Sequence, residues 1–246
     1  MYFMSFGESC LMFKNYVLVA VTLVVGMSQS SFGDILSSWT FQTTPPTTSG
    51  PHTADSGFFA ASSFASTNSG GTISSPAGNG SSNSFSSNGW NAGEYYQFST
   101  NTVGFDAITV SYAQAASGTG PRDFQFQFST DGTNFTNFGA GYVGPTADFN
   151  ATTPNSANVL SFDLSSITAL NNSSLSVFRV AVVGSASENN GTIAAGGTFR
   201  VDDFTVNGIS ITAVPEPTSI ALLSVAGFAG LAASYRRRKA KKSAAV

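Results

Sequence analysis

Few side chains in this sequence can do chemistry at neutral pH, which narrows the reading at once. His52 is the only histidine and Cys10 the only cysteine. A Ser-His-Asp triad would have to use His52, in Thr48-Ser49-Gly50-Pro51-His52, and no nucleophile-elbow motif occurs. A His-rich or Cys-based metal centre is excluded by the same count. Glu94 and Glu188 are the only glutamates between Asp34 and Ala213, and nothing in their spacing marks them as an acid–base pair. Oxygen chemistry remains. Asp202-Asp203 could ligate a structural calcium, a hard cation that takes carboxylates and carbonyls. The competing role is an ion pair of one aspartate with Arg200 or another arginine. Asp131-Gly132 looks like half a calcium loop but lacks the acidic spacing of an EF-hand, and its turn role accounts for it. Trp90, Tyr95, Tyr96 and Tyr142 could form a stacking platform for sugars. Tyr95 and Tyr96 are adjacent, so on a strand they face opposite ways, and at most one of them joins the core. A core role for Trp90 and one tyrosine competes with the platform.

Charge sets the next limit. Charged residues make up 9% of the 246, against about 25% in an average soluble domain. Between Asp34 and Ala213 only Arg122, Arg179 and Arg200 oppose eleven carboxylates, a net charge of −8. Such a surface repels a phosphate backbone, so the chain is not expected to bind nucleic acid. The 22 phenylalanines are enough for a core and argue against disorder.

The elements that would position these residues are strands. Phe124-Gln125-Phe126-Gln127-Phe128 alternates with period two, three Phe on one face and two Gln on the other. Asp131-Gly132 follows, and then Asn134 to Phe138, the pattern of a hairpin whose turn needs positive φ. Further strands are predicted at 35–41, 95–100, 108–113, 159–164, 175–183, 198–206 and 209–212, with one helical turn in 165–170. The segment 45–93 is rich in Ser, Gly and Asn but keeps Phe58, Phe59, Phe64, Phe85 and Trp90. It reads as long loops with short strands laid on the main body. Many short strands without helical periodicity predict an all-β fold, a jelly-roll-like β-sandwich spanning 34–213.

Both ends look like export machinery. Lys14-Asn15 precedes twelve apolar residues, Tyr16 to Met27, and then small residues through Gly33. This is the plan of a secretory signal peptide over 1–33. A helix of twelve residues covers about 18 Å, short of a hydrocarbon core of about 30 Å. Residues 1–11 carry Glu8 and no basic residue, so translation is expected to start at Met12. At the other end, Thr218 to Tyr235 is uncharged for eighteen residues and as a helix would just span a membrane. Arg236, Arg237, Arg238 and Lys239 follow, a stop-transfer cluster that would stay cytoplasmic and leave the acidic domain outside. Val214-Pro215-Glu216-Pro217, just before the span, cannot continue a helix or an interior strand and is expected to be extended.

Val-Pro-Glu-Pro, a short span and an arginine cluster, in that order at the end of the chain, resemble the PEP-CTERM sorting signal. The resemblance implies processing by an exosortase, a membrane cysteine transpeptidase-like enzyme, with Pro215, Glu216 and Pro217 as recognition residues in a motif at 214–217, a transmembrane helix at 218–235 and a basic tail at 236–246. The middle is similar to an ectodomain type found in PEP-CTERM proteins of environmental bacteria. The stretches that carry this are Ser84 to Trp90, Glu94 to Thr100, Gly120 to Phe124, Ser129 to Phe135 and Phe199 to Val206. It implies a fold and an export route and no reaction.

The expectation is therefore a non-enzymatic, exported protein of the cell surface or extracellular matrix, with no cofactor beyond a structural calcium. Its expected partners are the membrane, the processing enzyme and extracellular polysaccharide. The alternative is a displayed carbohydrate-binding module. One consequence is checkable directly. Mass spectrometry of cell extracts should find no peptide covering Met1 to Leu11, and finding one would remove the Met12 start.

Overall fold

The computed structural model describes residues 33–68 and 70–211. The expected signal helix, sorting motif, span and basic tail lie outside the described residues. Thirteen strands build the described part. They are β1 (Asp34–Trp39), β2 (His52–Thr53), β3 (Ser63–Ser66), β4 (Ile73–Ser74), β5 (Phe85–Asn88), β6 (Tyr95–Thr100) and β7 (Phe105–Ala116). Then follow β8 (Asp123–Ser129), β9 (Thr136–Asn137), β10 (Tyr142–Val143), β11 (Val159–Asp163), β12 (Ser176–Val182) and β13 (Thr198–Ser210). One sheet runs β11-β7-β13-β5-β4, with β1 also on β13. The other runs β10-β8-β12-β6-β3-β2, with β9 on β8. All the pairings within the two sheets are antiparallel, and the fold is a β-sandwich as the alternation predicts.

Side chains on alternate residues of a strand point to opposite faces, so each strand delivers every second ring to the space between the sheets. From β6 these are Tyr96 and Phe98; from β8, Phe124 and Phe126; from β13, Phe199, Val201, Phe204 and Val206, all buried. The layers meet ring to ring. Phe98 stacks on Phe204 across the sandwich, with Trp39 edge-on to both at 5.2 and 5.9 Å. Phe126 stacks on Phe162 at 4.1 Å, and Tyr96 on Phe199 at 4.5 Å. The Tyr96 hydroxyl also ties the layers by hydrogen bonds. It donates to the Phe199 carbonyl at 2.7 Å and accepts from the Ser87 amide at 3.1 Å. Burial raises the pKa of this phenol well above its ordinary value, so it stays a donor.

Four sequence expectations change. Two strands predicted at 198–206 and 209–212 are one strand, β13. Gly208 does not open a turn there. It lets β13 pass close to β7, where an added Cβ would meet Ile108 Cδ1 at 3.0 Å and Phe105 Cβ at 3.1 Å. Asp131-Gly132 does join a hairpin, but a wider one, because Gln127 pairs with Asn137 and Phe128 with Thr136. Asp131 Oδ1 accepts the amides of Thr133 and Asn134 at 2.8 and 2.7 Å and so caps the loop. The helical turn expected at 165–170 is a single 3₁₀ turn at Thr168–Leu170. β1 also ends earlier than predicted, at Trp39, because Asp55 Oδ2 accepts the amides of Thr40 and Phe41 at 2.8 Å each and Phe41 turns to φ +58°.

With no disulfide available to the described residues, this interlayer carries the stability. Phe98→Ala should destabilise the domain by about 3–5 kcal/mol through its cavity. Tyr96→Phe should cost about 1–3 kcal/mol by leaving buried polar groups unpaired. Chemical denaturation would show both, and a neutral Phe98→Ala would refute the role given to the ring.

Candidate functional site

The outer face of the second sheet presents what the inner face does not use. Four strands there place one residue each in a single transverse row. Gln97 of β6 pairs with Arg179 of β12, Arg179 with Gln127 of β8, and Gln127 with Asn137 of β9. Their planar polar ends are linked. Arg179 Nε donates to Gln97 Oε1 at 2.8 Å, and Gln127 Nε2 donates to Asn137 Oδ1 at 2.9 Å. The Arg179 guanidinium carbon lies 3.8 Å from the centre of the Tyr95 ring and 3.3 Å from that of Phe135. Tyr95 reaches this face because Tyr96 is turned inward. Phe135 arrives on the loop that Asp131 caps. Burial draws the Arg179 pKa below its ordinary value while the Tyr95 side chain opposes this, and an arginine keeps its charge at physiological pH throughout. The two terminal guanidinium nitrogens make no hydrogen bond or ion pair among the described residues.

Two residues further along the strands, about 7 Å away, Ser63 and Ser99 pair in the next row of the same sheet. They line a cleft of about 400 Å³ whose other walls include Phe58, Phe59, Asn101 and Leu175. Phe58 is 67% exposed and rests edge-on against Phe105. Behind it Ser37, Ser62 and Thr100 share a triangle of hydroxyl contacts, each 2.7 Å. The face thus combines aromatic carbon, amides, hydroxyls and one guanidinium.

The residues singled out from the sequence are distributed differently. Trp90 is buried, its indole N–H donating to the Ser87 carbonyl at 3.0 Å and its ring edge-on to Tyr96 at 4.8 Å. Trp90 and Tyr96 are core residues, and Tyr95 alone of the three reaches the outer face. The Tyr142 hydroxyl contacts that of Tyr112 at 2.6 Å and donates to Gln114 Oε1 at 2.9 Å. His52 packs against Phe64, and its Nε2 meets the Thr48 carbonyl at 2.8 Å. Glu94 accepts the Asn91 amide at 2.6 Å. Arg122 pairs with its neighbour Asp123 at 2.9 Å and also donates to Asn190.

Asp202 sits where β5 and β1 part along one edge of β13. β5 takes Thr198–Val201, and β1 takes Phe204–Gly208. A bulge falls between Asp202 and Thr205, with Asp203 at φ +51°. The Asp202 carboxylate is buried and accepts the Asn79 amide at 2.9 Å, the Ser81 hydroxyl at 2.8 Å and the Asp203 amide at 2.9 Å. Donors therefore converge on the group expected to hold calcium, and Arg200 does not pair with it. Among the described residues no three His, Cys, Asp or Glu side chains gather into a metal-sized group.

The sequence reading missed Arg179, Phe135, Gln97, Gln127 and Asn137 as a group. One signal was available. Arg179 is one of three cations in the segment, on a strand whose neighbours are apolar.

These features define an all-β sandwich with one decorated face, and comparison with known proteins adds the sorting signal. Residues 213–238 match the PEP-CTERM protein-sorting motif. The chain carries that signal, which marks an exported protein handled at the membrane. No curated protein matches the chain. Among solved structures it is similar to the K2 cleaved adhesin domain of Lys-gingipain, at 18% identity over 70% of this chain and 98% of that one, with a TM-score of 0.41. It is also similar to the CBM22-1–CBM22-2 tandem domain of Paenibacillus barcinonensis Xyn10C, at 12% identity over 76% and 49%, with a TM-score of 0.44. A third is TmCBM61 in complex with β-1,4-galactotriose, at 11% identity over 60% and 88%, with a TM-score of 0.32. At these values the likenesses carry no argument about what this chain binds.

Two buried carboxyls give the domain a pH signature. Burial, with Asp203 nearby, pushes Asp202 up to about 7. Burial pushes Glu188 up to about 7 against the pull of Arg122, and neither of its oxygens has a hydrogen-bond partner among the described residues. Both groups bind protons more tightly folded than unfolded. Their stabilisation is complete below about pH 4 and is lost as pH rises through about 7. Tm should therefore fall between pH 5 and pH 8, and Glu188→Gln or Asp202→Asn should each flatten that slope. A Tm that rises with pH over this range would contradict it.

Proposed function

We propose that this is a non-enzymatic protein of the cell surface or extracellular matrix, delivered by its C-terminal sorting signal. The single observation that carries this is the PEP-CTERM motif at 213–238. On this reading Lys14 to Gly33 directs secretion, and the span at 218–235 with Arg236, Arg237, Arg238 and Lys239 holds the chain in the membrane. An exosortase-type enzyme then processes it at Val214-Pro215-Glu216-Pro217. The same signal supports a final location in the envelope or matrix. The absence of catalytic machinery is supported by the contacts of the scarce reactive groups, since His52, Glu94 and Asp202 each serve a loop or turn.

A second reading, that the ectodomain binds carbohydrate, has an observation of its own. Planar amides, a ring-stacked guanidinium and a hydroxyl-bearing cleft on one face match the needs of a sugar chain, with hydroxyls to hydrogen-bond and C–H faces to cover.

Replacing Pro215, Glu216 and Pro217 together by alanine should leave full-length protein in the membrane fraction, while the wild type reaches the surface or medium with a lower intact mass. Wild-type protein recovered at the surface with residues 218–246 still attached would overturn the processing step.

A further inference from the structure

We propose that Arg179 reads a carboxylate, so that the outer face of the second sheet takes an acidic polysaccharide carrying uronic-acid units. This rests on the carbohydrate reading and names the class of glycan.

The first support is how the domain disposes of its cations. Three arginines serve a segment with eleven carboxylates. Arg122 is spent on Asp123 and Asn190. Arg200 lies in the other sheet, with its Nε buried and unpaired. Arg179 has an outward position, an orientation fixed by Gln97 and two rings, and terminal nitrogens that make no hydrogen bond among the described residues. A guanidinium held in place with its fork making no hydrogen bond among the described residues, in so acidic a domain, is placed for an anion brought from outside.

The second support is shape. The guanidinium carbon lies over the Tyr95 and Phe135 rings, 3.8 and 3.3 Å from their centres, and Gln97 holds its Nε. The fork is thereby fixed before any ligand arrives, which removes much of the entropy cost of ordering it. A carboxylate is planar and meets a guanidinium edge with two parallel hydrogen bonds. A tetrahedral phosphate or sulfate matches that planar fork less closely.

The third support concerns what carries the carboxylate. β6, β12 and β8 are interior strands, paired on both sides, and the row's one free edge is the two-residue β9, too short to add a peptide strand. The row instead presents Gln97 Nε2 and Asn137 Nδ2 as donors and Gln127 Oε1 as an acceptor, spaced across neighbouring strands. That suits the hydroxyl and ring oxygens of a sugar chain. The cleft at Ser63 and Ser99 continues the face one row on, which gives a polymer room to extend. The net charge of −8 does not forbid this. Beyond about 8 Å it is screened at physiological salt, whereas the fork acts at contact.

The test uses the full chain in detergent and native gels containing polygalacturonate, its methyl-esterified form or poly-glutamate. The first two share a backbone and differ in free carboxylates. The wild type should be retarded by polygalacturonate and much less by the ester or by poly-glutamate. Arg179→Gln should weaken the polygalacturonate interaction about 10- to 100-fold. Arg179→Lys, which keeps the charge and loses the fork, should recover only part of it. Thermal unfolding of each variant reports whether it folds, and the wild-type comparison of acid with ester decides the matter if one does not. Equal retardation by acid and ester, or full function in Arg179→Lys, would overturn the carboxylate assignment and leave the carbohydrate reading standing. Poly-glutamate binding as tight as polygalacturonate would replace the glycan by an acidic peptide. No retardation by any polymer would remove both readings.

Discussion

The pleat of three adjacent strands, β6, β12 and β8, governs both halves of this structure. Alternation forces each inward ring to be matched by an outward neighbour. Tyr96 and Phe98 face the other sheet, so Tyr95 and Gln97 face away from it. Phe178 and Val180 are buried in the core, so Arg179 between them is turned out. Phe124 and Phe126 do the same for Gln125 and Gln127. The core and the candidate binding face are two sides of one constraint. A slip of one residue in β12 would bury a guanidinium and expose Phe178.

The interlayer must hold the two sheets together by packing, since ion pairs contribute little. Among the described residues the Arg122–Asp123 pair is between chain neighbours and partly exposed, a setting in which such pairs contribute about 0–1 kcal/mol. Aromatic rings supply large buried areas with few rotatable bonds, and their edge-to-face and stacked contacts add to burial. Tyr96 adds direction, because its hydroxyl joins β6 to β5 and β13 through one atom. The polar surface can then be given over to Ser, Thr, Asn and Gln without loss of stability.

Asp202 shows what such a design tolerates. Where β13 changes partners from β5 to β1, its ladder opens and the Asn79 amide and Ser81 hydroxyl need an acceptor. A buried carboxylate supplies it, and Gly78 leaves room because a Cβ there would overlap Asp202 Oδ2. From the sequence, two adjacent aspartates at a strand suggested calcium. The fold turns Asp202 to N–H and O–H donors and sets Asp203 into the bulge at positive φ.

Much of the fold was legible along the chain. The Phe-Gln alternation of 124–128 showed a strand with two distinct faces, and 95–100 a strand whose adjacent tyrosines had to face opposite ways, because the period of a strand is written into consecutive residues. The sorting signal was legible for a related reason: it is a linear segment read in order, with no partner needed from elsewhere in the chain. The candidate site was not legible. Gln97, Arg179, Gln127 and Asn137 become neighbours only when β6, β12, β8 and β9 are ordered and in register, and Phe135 joins them through a loop capped by Asp131. A core role is expected for Trp90 and for one of Tyr95 and Tyr96, and the sheets close over Trp90 and Tyr96. By itself the sequence determined the strands, their faces and the signal that sends the protein out. Only the tertiary structure decided which polar residues share a surface, since register between distant strands is set by packing the whole interlayer at once.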